Sequence, residues 1–162
     1  MSTTPIIRPI TISDNPRVAQ IIRKVMTEFG CVGSGFSIED PEVDEMYQAY
    51  AGERAAFYVI EHQGEVKGCG GFAQLDGGAA DICELKKMYF LTDLRGLGMG
   101  SRLVDLCINE ARQRGFQTMY LETVEHMVAA NHLYRKKGFK PLEGAMGATG
   151  HNGCDAFYTL PL

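Results

Sequence analysis

The chain has 162 residues, 45% of them apolar and 22% charged, which suits one domain, residues 1–162, with a sizeable core. A net charge of −4 argues against a general nucleic-acid binder, and no apolar run is long enough to span a bilayer. Five scattered cysteines (Cys31, Cys69, Cys83, Cys107, Cys154) without a C-x-x-C pair fit a reducing compartment, so neither a disulfide framework nor a metal site is expected.

Met1 to Pro9 shows no secretory pattern, and a cytoplasmic location is expected. Ile6 to Ile12 reads as a first strand, with Ser13 as cap and Pro16 in the first turn of the helix that follows. Val18, Ile21, Ile22, Val25, Met26 and Phe29 keep the helical period, and Gly30 ends it. A glycine-rich segment through Phe36 leads to Asp40-Pro41, which opens a second short helix containing Met46, Tyr47 and Tyr50. This segment, with Phe36 and Tyr47, reads equally as a substrate lid or as a plain connector.

Ala56 to His62, Val66 to Leu75 and Ala80 to Phe90 form a meander turned at Gln63-Gly64 and Gly77-Gly78. Gly68, Gly70 and Gly71 in its second strand suggest a bulge or a close approach by another group. In its third strand the alternation breaks, because Leu85 and Met88 cannot share a core face without an extra residue between them. The spacing predicts a bulge near Lys86-Lys87.

Next comes Arg95-Gly96-Leu97-Gly98-Met99-Gly100, followed by Ser101-Arg102 and an amphipathic helix. Its buried stripe is Gly100, Leu103, Val104, Cys107, Ile108 and Ala111. Glycines at a helix N-terminus expose unpaired N–H groups at the positive end of the helix dipole, which is a phosphate cradle. A Walker A loop is excluded, since Gly100 is not followed by Lys-Ser/Thr. A dinucleotide loop fits Gly96 and Gly98 but meets Ser101 where its third small residue belongs. Arg95, Gly98 and Gly100 match a third pattern, R-x-x-G-x-G.

Gln117 to Thr123 is a strand, and Met127 to Lys137 a helix ended by Gly138. That helix carries Asn131 and Tyr134 on one face, in the pattern N-x-x-Y-x-x-x-G-F. Phe139 to Leu142 and Ala156 to Leu160 are the last strands. The order β-α-α-β-β-β-α-β-α-β-β implies an α+β fold with a mixed sheet and a parallel pair around the crossover.

R-x-x-G-x-G and N-x-x-Y-x-x-x-G-F, in this order and on these elements, resemble the GCN5-related N-acetyltransferases (GNAT). The resemblance runs from the first strand to the last. It implies a mostly antiparallel central sheet with about four helices, a splayed parallel strand pair, and acetyl-CoA as cosubstrate. Gly96, Leu97, Gly98, Met99, Gly100 and Ser101 are then the pyrophosphate loop, flanked by Arg95 and Arg102. A backbone N–H near Met88 or Tyr89 would face the acetyl oxygen. Tyr134 would protonate the leaving thiolate, and Asn131 would bond the pantetheine or position Tyr134. Glu84, beside the splay, is the expected base for the amine, with Glu122 as the second carboxylate. His151, in a glycine loop, is expected to line the acceptor pocket with Phe36, Tyr47 and Glu122.

The runs Asp81 to Leu91, Tyr120 to Thr123 and Thr149 to His151 look like a bacterial subgroup that includes amino-acid acetyltransferases and domains fused to MarR-type regulators. A small amino-acid-like amine is therefore the expected acceptor, with a protein N-terminus or lysine as the alternative. A non-catalytic acyl-CoA sensor is the reading from a different class. A homodimer is allowed for; nucleic acid and membrane are not expected partners.

Overall fold

The computed structural model describes residues 4–162. One seven-stranded sheet runs through the molecule, in the order β1-β2-β3-β4-β5-β7-β6. Its strands are β1 (Ile6–Pro9), β2 (Ala55–His62), β3 (Glu65–Gln74), β4 (Ile82–Phe90), β5 (Thr118–Thr123), β6 (Lys140–Leu142) and β7 (Ala156–Pro161). All neighbours are antiparallel except β4 and β5, as the crossover requires. The helices are α1 (Asn15–Glu28), α2 (Met46–Ala49), α3 (Met99–Gln113) and α4 (Val128–Lys136).

The sheet is buried on both faces, which is why β2 reads Ala-Ala-Phe-Tyr-Val-Ile without polar alternation. The α1 stripe of Val18, Ile21, Ile22, Val25 and Met26 packs with Val43, Met46 and Tyr50 against one face. The α3 stripe of Met99, Leu103, Val104, Cys107, Ile108 and Ala111 packs with Tyr134 and Phe139 against the other. Truncating one such buried Ile or Leu to Ala costs about 2–5 kcal/mol, so both faces are needed for stability.

Three local expectations are corrected. The first strand stops at Pro9, and a 3-10 turn, Ile12–Asp14, follows it. Asp14, not Ser13, is the N-cap residue of α1, but its side chain makes no bond to the helix: its carboxylate is held by Arg8 at 2.8 and 2.9 Å and by the Thr11 N–H at 2.8 Å, in the turn that leads into α1. The segment after Asp40 is not one helix. It is a 3-10 turn, Pro41–Asp44, and the four-residue α2, and Tyr50 lies just past its end. Asp40 gives no side-chain cap to that turn; its carboxylate is used elsewhere, as described below.

The bulge is where the broken alternation puts it. Cys69 pairs with Tyr89 and Gly71 with Lys86, so Gly70 opposes both Lys87 and Met88. Lys87 takes the extra position with φ +59°, a left-handed conformation unusual for a non-glycine residue. Leu85 and Met88 consequently reach the same core face. On its other side β4 pairs with β5 only through Ile82–Thr118, Cys83–Met119 and Glu84–Tyr120. Beyond Glu84 the two strands part, and the cleft between them holds the site.

Candidate active site

Two cavities meet in this cleft, and Met88, Met127 and Tyr134 line both. The first is a mostly apolar groove between the glycine loop and α4. It is lined by Arg95, Gly96, Gly98, Met99, Gly100 and Ser101, and by Val128, Ala129, Ala130 and Leu133 opposite. Gly98 is the N-cap of α3 at φ +76°. A side chain there would meet no protein atom within 4 Å, so the glycine serves its backbone angle and leaves open space above the helix end. The Arg102 N–H makes a helical bond back to Gly98 O at 3.2 Å. The N–H groups of Met99, Gly100 and Ser101 therefore precede the helical ladder and point out of its end. This cradle fits a pyrophosphate, and the apolar groove beyond it fits a pantetheine arm.

Leu97 and Arg102 lie outside the groove; Leu97 is 49% exposed, and the Arg102 guanidinium turns back to the Met99 sulfur at 3.7 Å. Arg95 lines the groove, but its guanidinium is paired with Glu28 of α1 at 2.7 and 3.0 Å. It ties the glycine loop to α1. Asn131 is buried, and its amide is fully used: Nδ2 donates to Val124 O at 2.9 Å and Met127 O at 2.8 Å, and Oδ1 accepts from the Tyr158 hydroxyl at 2.7 Å. It pins the start of α4 to the end of β5 and so orients the helix that carries Tyr134.

Tyr134 is buried edge-on to Phe139, with ring centroids 5.9 Å apart. Burial pushes its pKa above the ordinary phenol value, because a phenolate would stand in apolar surroundings. The hydroxyl thus stays protonated across the working pH range, at the junction of the two cavities. Proton donation to a thiolate is less balanced than free thiol and phenol pKa values near 8.5 and 10 suggest, because burial disfavours the phenolate.

The second cavity is the more polar of the two, though Met26, Leu85, Leu121 and Val124 also line it. Glu84, Lys86, Lys87, Tyr89, Glu122, Thr123 and His151 line it, and Phe36, Ser37, Cys31 and Cys154 cover it. Glu84 is only 5% exposed. Burial raises its pKa to about 7; Lys86 counters that shift, and Glu122 adds to it. No hydrogen bond contributes to its shift, so the carboxylate is free to take a proton at neutral pH. Glu122 differs. It accepts from the Tyr120 hydroxyl at 2.8 Å and the Thr149 hydroxyl at 2.6 Å, and it lies 3.3 Å from His151 Nδ1. Although burial opposes it, these donors hold its pKa below the ordinary value, so Glu122 is an anchored anion and a poor base.

His151 also pairs with Asp40, its Nε2 lying 2.9 and 3.0 Å from the two carboxylate oxygens. Burial lowers its pKa, but the bonds to Asp40 and Glu122 outweigh that and bring it to about 9. His151 is therefore an imidazolium at neutral pH and cannot act as base. Glu84, Glu122 and His151 bring donor atoms within 4.8 Å of one another, a spacing that would suit a metal ion. The imidazolium, with both ring nitrogens engaged, supplies the cation there itself.

Phe36, Glu122 and His151 line one cavity, and Tyr47 lies outside it. It is 38% exposed on the far side of α2, in a surface pocket with Pro9, Tyr58 and Arg114, and its N–H bonds Asn15 Oδ1 at 2.9 Å. The segment that carries it covers the site with Phe36 and Ser37, and Tyr89 meets Ser37 with its hydroxyl at 3.3 Å. Sequence reasoning missed Asp40 and the charges of Lys86 and Lys87. The two lysines were visible as the break in alternation, and Asp40 as the residue before Pro41. Neither signal says which charges meet.

Comparison with known proteins gives the family and the fold. Residues 19–139 match the model of the acetyltransferase (GNAT) family. The uncharacterized N-acetyltransferase YjgM of Escherichia coli is 42% identical over 153 residues, covering 94% of this chain and 92% of that protein. The IAA acetyltransferase of Azospirillum brasilense is 34% identical over 107 residues, covering 65% of this chain and 67% of that protein. Among solved structures, a GNAT-family acetyltransferase from Staphylococcus aureus superposes with a TM-score of 0.83 at 19% identity, covering 98% of this chain and 99% of that one. YncA from Salmonella typhimurium, solved with acetyl-CoA, superposes with a TM-score of 0.74 at 21% identity, covering 98% and 94%. These two structural likenesses establish the shared fold.

Proposed function

Because the chain belongs to the acetyltransferase (GNAT) family, and so is an N-acetyltransferase that uses acetyl-CoA, we propose that it acetylates the primary amine of a small, amino-acid-like acceptor. The observation that carries the choice of a small acceptor is the roof over the polar cavity. Gly153 N–H bonds Gly35 O at 2.8 Å, and the Phe36 ring packs so tightly on Gly153 that a Cβ there would overlap it. The loop after α1 and the loop before β7 are thereby closed on each other. A polypeptide acceptor would need an open trough across this position.

Acetyl-CoA brings an activated thioester; the protein supplies placement and proton management. The N–H groups of Met99, Gly100 and Ser101 hold the pyrophosphate. The backbone of the bulge at Met88 and Tyr89, released from the β5 ladder, offers an N–H where negative charge develops on the acetyl oxygen. Glu84 takes the ammonium proton, directly or through one water, and leaves a nucleophilic amine. Tyr134 donates a hydrogen bond or a proton to the departing sulfur. Asn131 holds α4, and Tyr134 with it, at the junction. Glu122, fixed by three donors, shapes the pocket around the amine.

A screen of acetyl transfer over free amino acids, polyamines and peptides tests this reading. Turnover with small amines above that with peptides supports it. Faster turnover of peptides would assign a protein acceptor, and tight acetyl-CoA binding without CoA release from any amine would assign a sensor.

A further inference from the structure

Asp40 stands between the two halves of the site, and nothing in the reaction described above uses it. Its Oδ2 accepts from Lys87 Nζ at 2.7 Å, and both of its oxygens meet His151 Nε2. Lys87 is the left-handed residue of the bulge, and its side chain is 1% exposed. His151 belongs to the loop that covers the acceptor cavity. One carboxylate thus joins the strand feature that faces the acetyl group to the loop that faces the amine. The chain continues through His151 to Glu122, and from Glu122 to Thr149 and Tyr120 of β5, whose hydroxyl accepts from Met146 N at 3.1 Å. It spans both strands of the splay.

Local sequence explains why Asp40 is available. A residue before proline is driven to extended backbone, and Asp40 sits at φ −62°, ψ 132° ahead of Pro41. It is kept out of the following 3-10 turn, and its side chain projects inward. Glu42 also pairs with the same lysine, at 3.7 Å, and with Lys86 at 3.5 Å, but Asp40 makes the shorter bond to Lys87 and is the one that reaches His151.

We propose that Asp40 is a positioning residue that holds the Lys87 bulge and the His151 loop in mutual register, so that the amine and the acetyl carbonyl meet in line. The inference rests on the acetyl-transfer reading above. Without Asp40 the bulge loses the anchor of its strained residue, and His151 loses a partner that keeps it charged against Glu122. The glycine loop lies away from this network, so cosubstrate binding should survive.

The test compares the parent with Asp40→Asn and with the double variant D40N/K87M, which also removes the buried lysine that would keep only its 3.7 Å contact with Glu42. For the acceptor amine, kcat/KM should fall by about tenfold or more in both variants, while the KM for acetyl-CoA stays within about twofold. The thermal midpoint should drop in D40N and recover in D40N/K87M. An NMR titration of the His151 ring should show its midpoint lowered in both variants. Recovery of kcat/KM together with the thermal midpoint in D40N/K87M would overturn the proposal, because Asp40 would then only neutralise a buried lysine. So would an unmoved His151 titration, or an equal rise in the KM for acetyl-CoA. If D40N does not fold, D40N/K87M carries the kinetics. If no amine is acetylated by the parent, the acetyl-transfer reading fails, whereas the His151 titration still reports whether Asp40 holds that loop.

Discussion

Gly70 of β3 faces Met88 across the bulge of β4, and a Cβ on Gly70 would overlap the Met88 sulfur. The glycine is there because the bulged strand folds a side chain back onto its neighbour. Met88 is also one of the three residues that line both cavities. Gly70→Val should therefore destabilise the fold by about 1–3 kcal/mol through overpacking and lower kcat by displacing Met88. Denaturant unfolding and steady-state kinetics read the two effects. Unchanged values for both would mean that Met88 swings aside and does not define the junction.

Gly98→Val adds a side chain into open space, so any clash is with the ligand and any strain is in the backbone at φ +76°. Acetyl-CoA affinity should weaken by at least about tenfold, roughly 1.4 kcal/mol, with a stability loss of about 1–2 kcal/mol. Calorimetric titration of the folded variant checks it. Parental affinity would remove the cradle assignment.

Tyr134→Phe keeps the ring and its contact with Phe139 and deletes the proton. Turnover should drop by roughly 10²–10⁴, with CoA affinity nearly unchanged. A Phe variant that turns over like the parent would make Tyr134 a packing residue.

Glu84 titrates near 7 because it is buried, so its basic form grows as the pH rises through that value. The parental kcat/KM for an amine should increase across this window. Glu84→Gln removes the base: the loss should be largest near neutrality and shrink at high pH, where the amine is already free. An equal loss at every pH would mean that Glu84 places the amine without accepting its proton.

His151 supplies a stability signature independent of catalysis. Its pKa in the folded protein, about 9, lies above its ordinary value of 6.5, so the folded state holds the proton more tightly than the unfolded chain. The corresponding stabilisation is complete below about pH 6.5 and is lost as pH rises through about 9. His151→Gln should flatten the decline in unfolding free energy over that interval. A parental curve with no such decline would show that His151 is neutral in the fold.

The sequence by itself determined the frame. Helical periods in α1 and α3 were strong enough to mark which faces are buried, and the crossover required β4 and β5 to be parallel. The parity conflict between Leu85 and Met88 located the bulge, since alternation in a strand leaves no other way to put both in the core. The glycine loop and the Asn131–Tyr134 pair were legible as motifs because they are local, each lying along one element; the chemistry expected of them came from the family resemblance. The tertiary structure decided what depends on encounters between distant elements. It spent Asn131 on the backbone and Arg95 on Glu28, turned Tyr47 outward, and made His151 a cation by setting it between Asp40 and Glu122. It also separated two carboxylates of the same type, leaving Glu84 buried and unbonded while Glu122 gathered three donors. A residue's charge state depends on burial and on partners far away in the chain, and no spacing rule within one segment contains either.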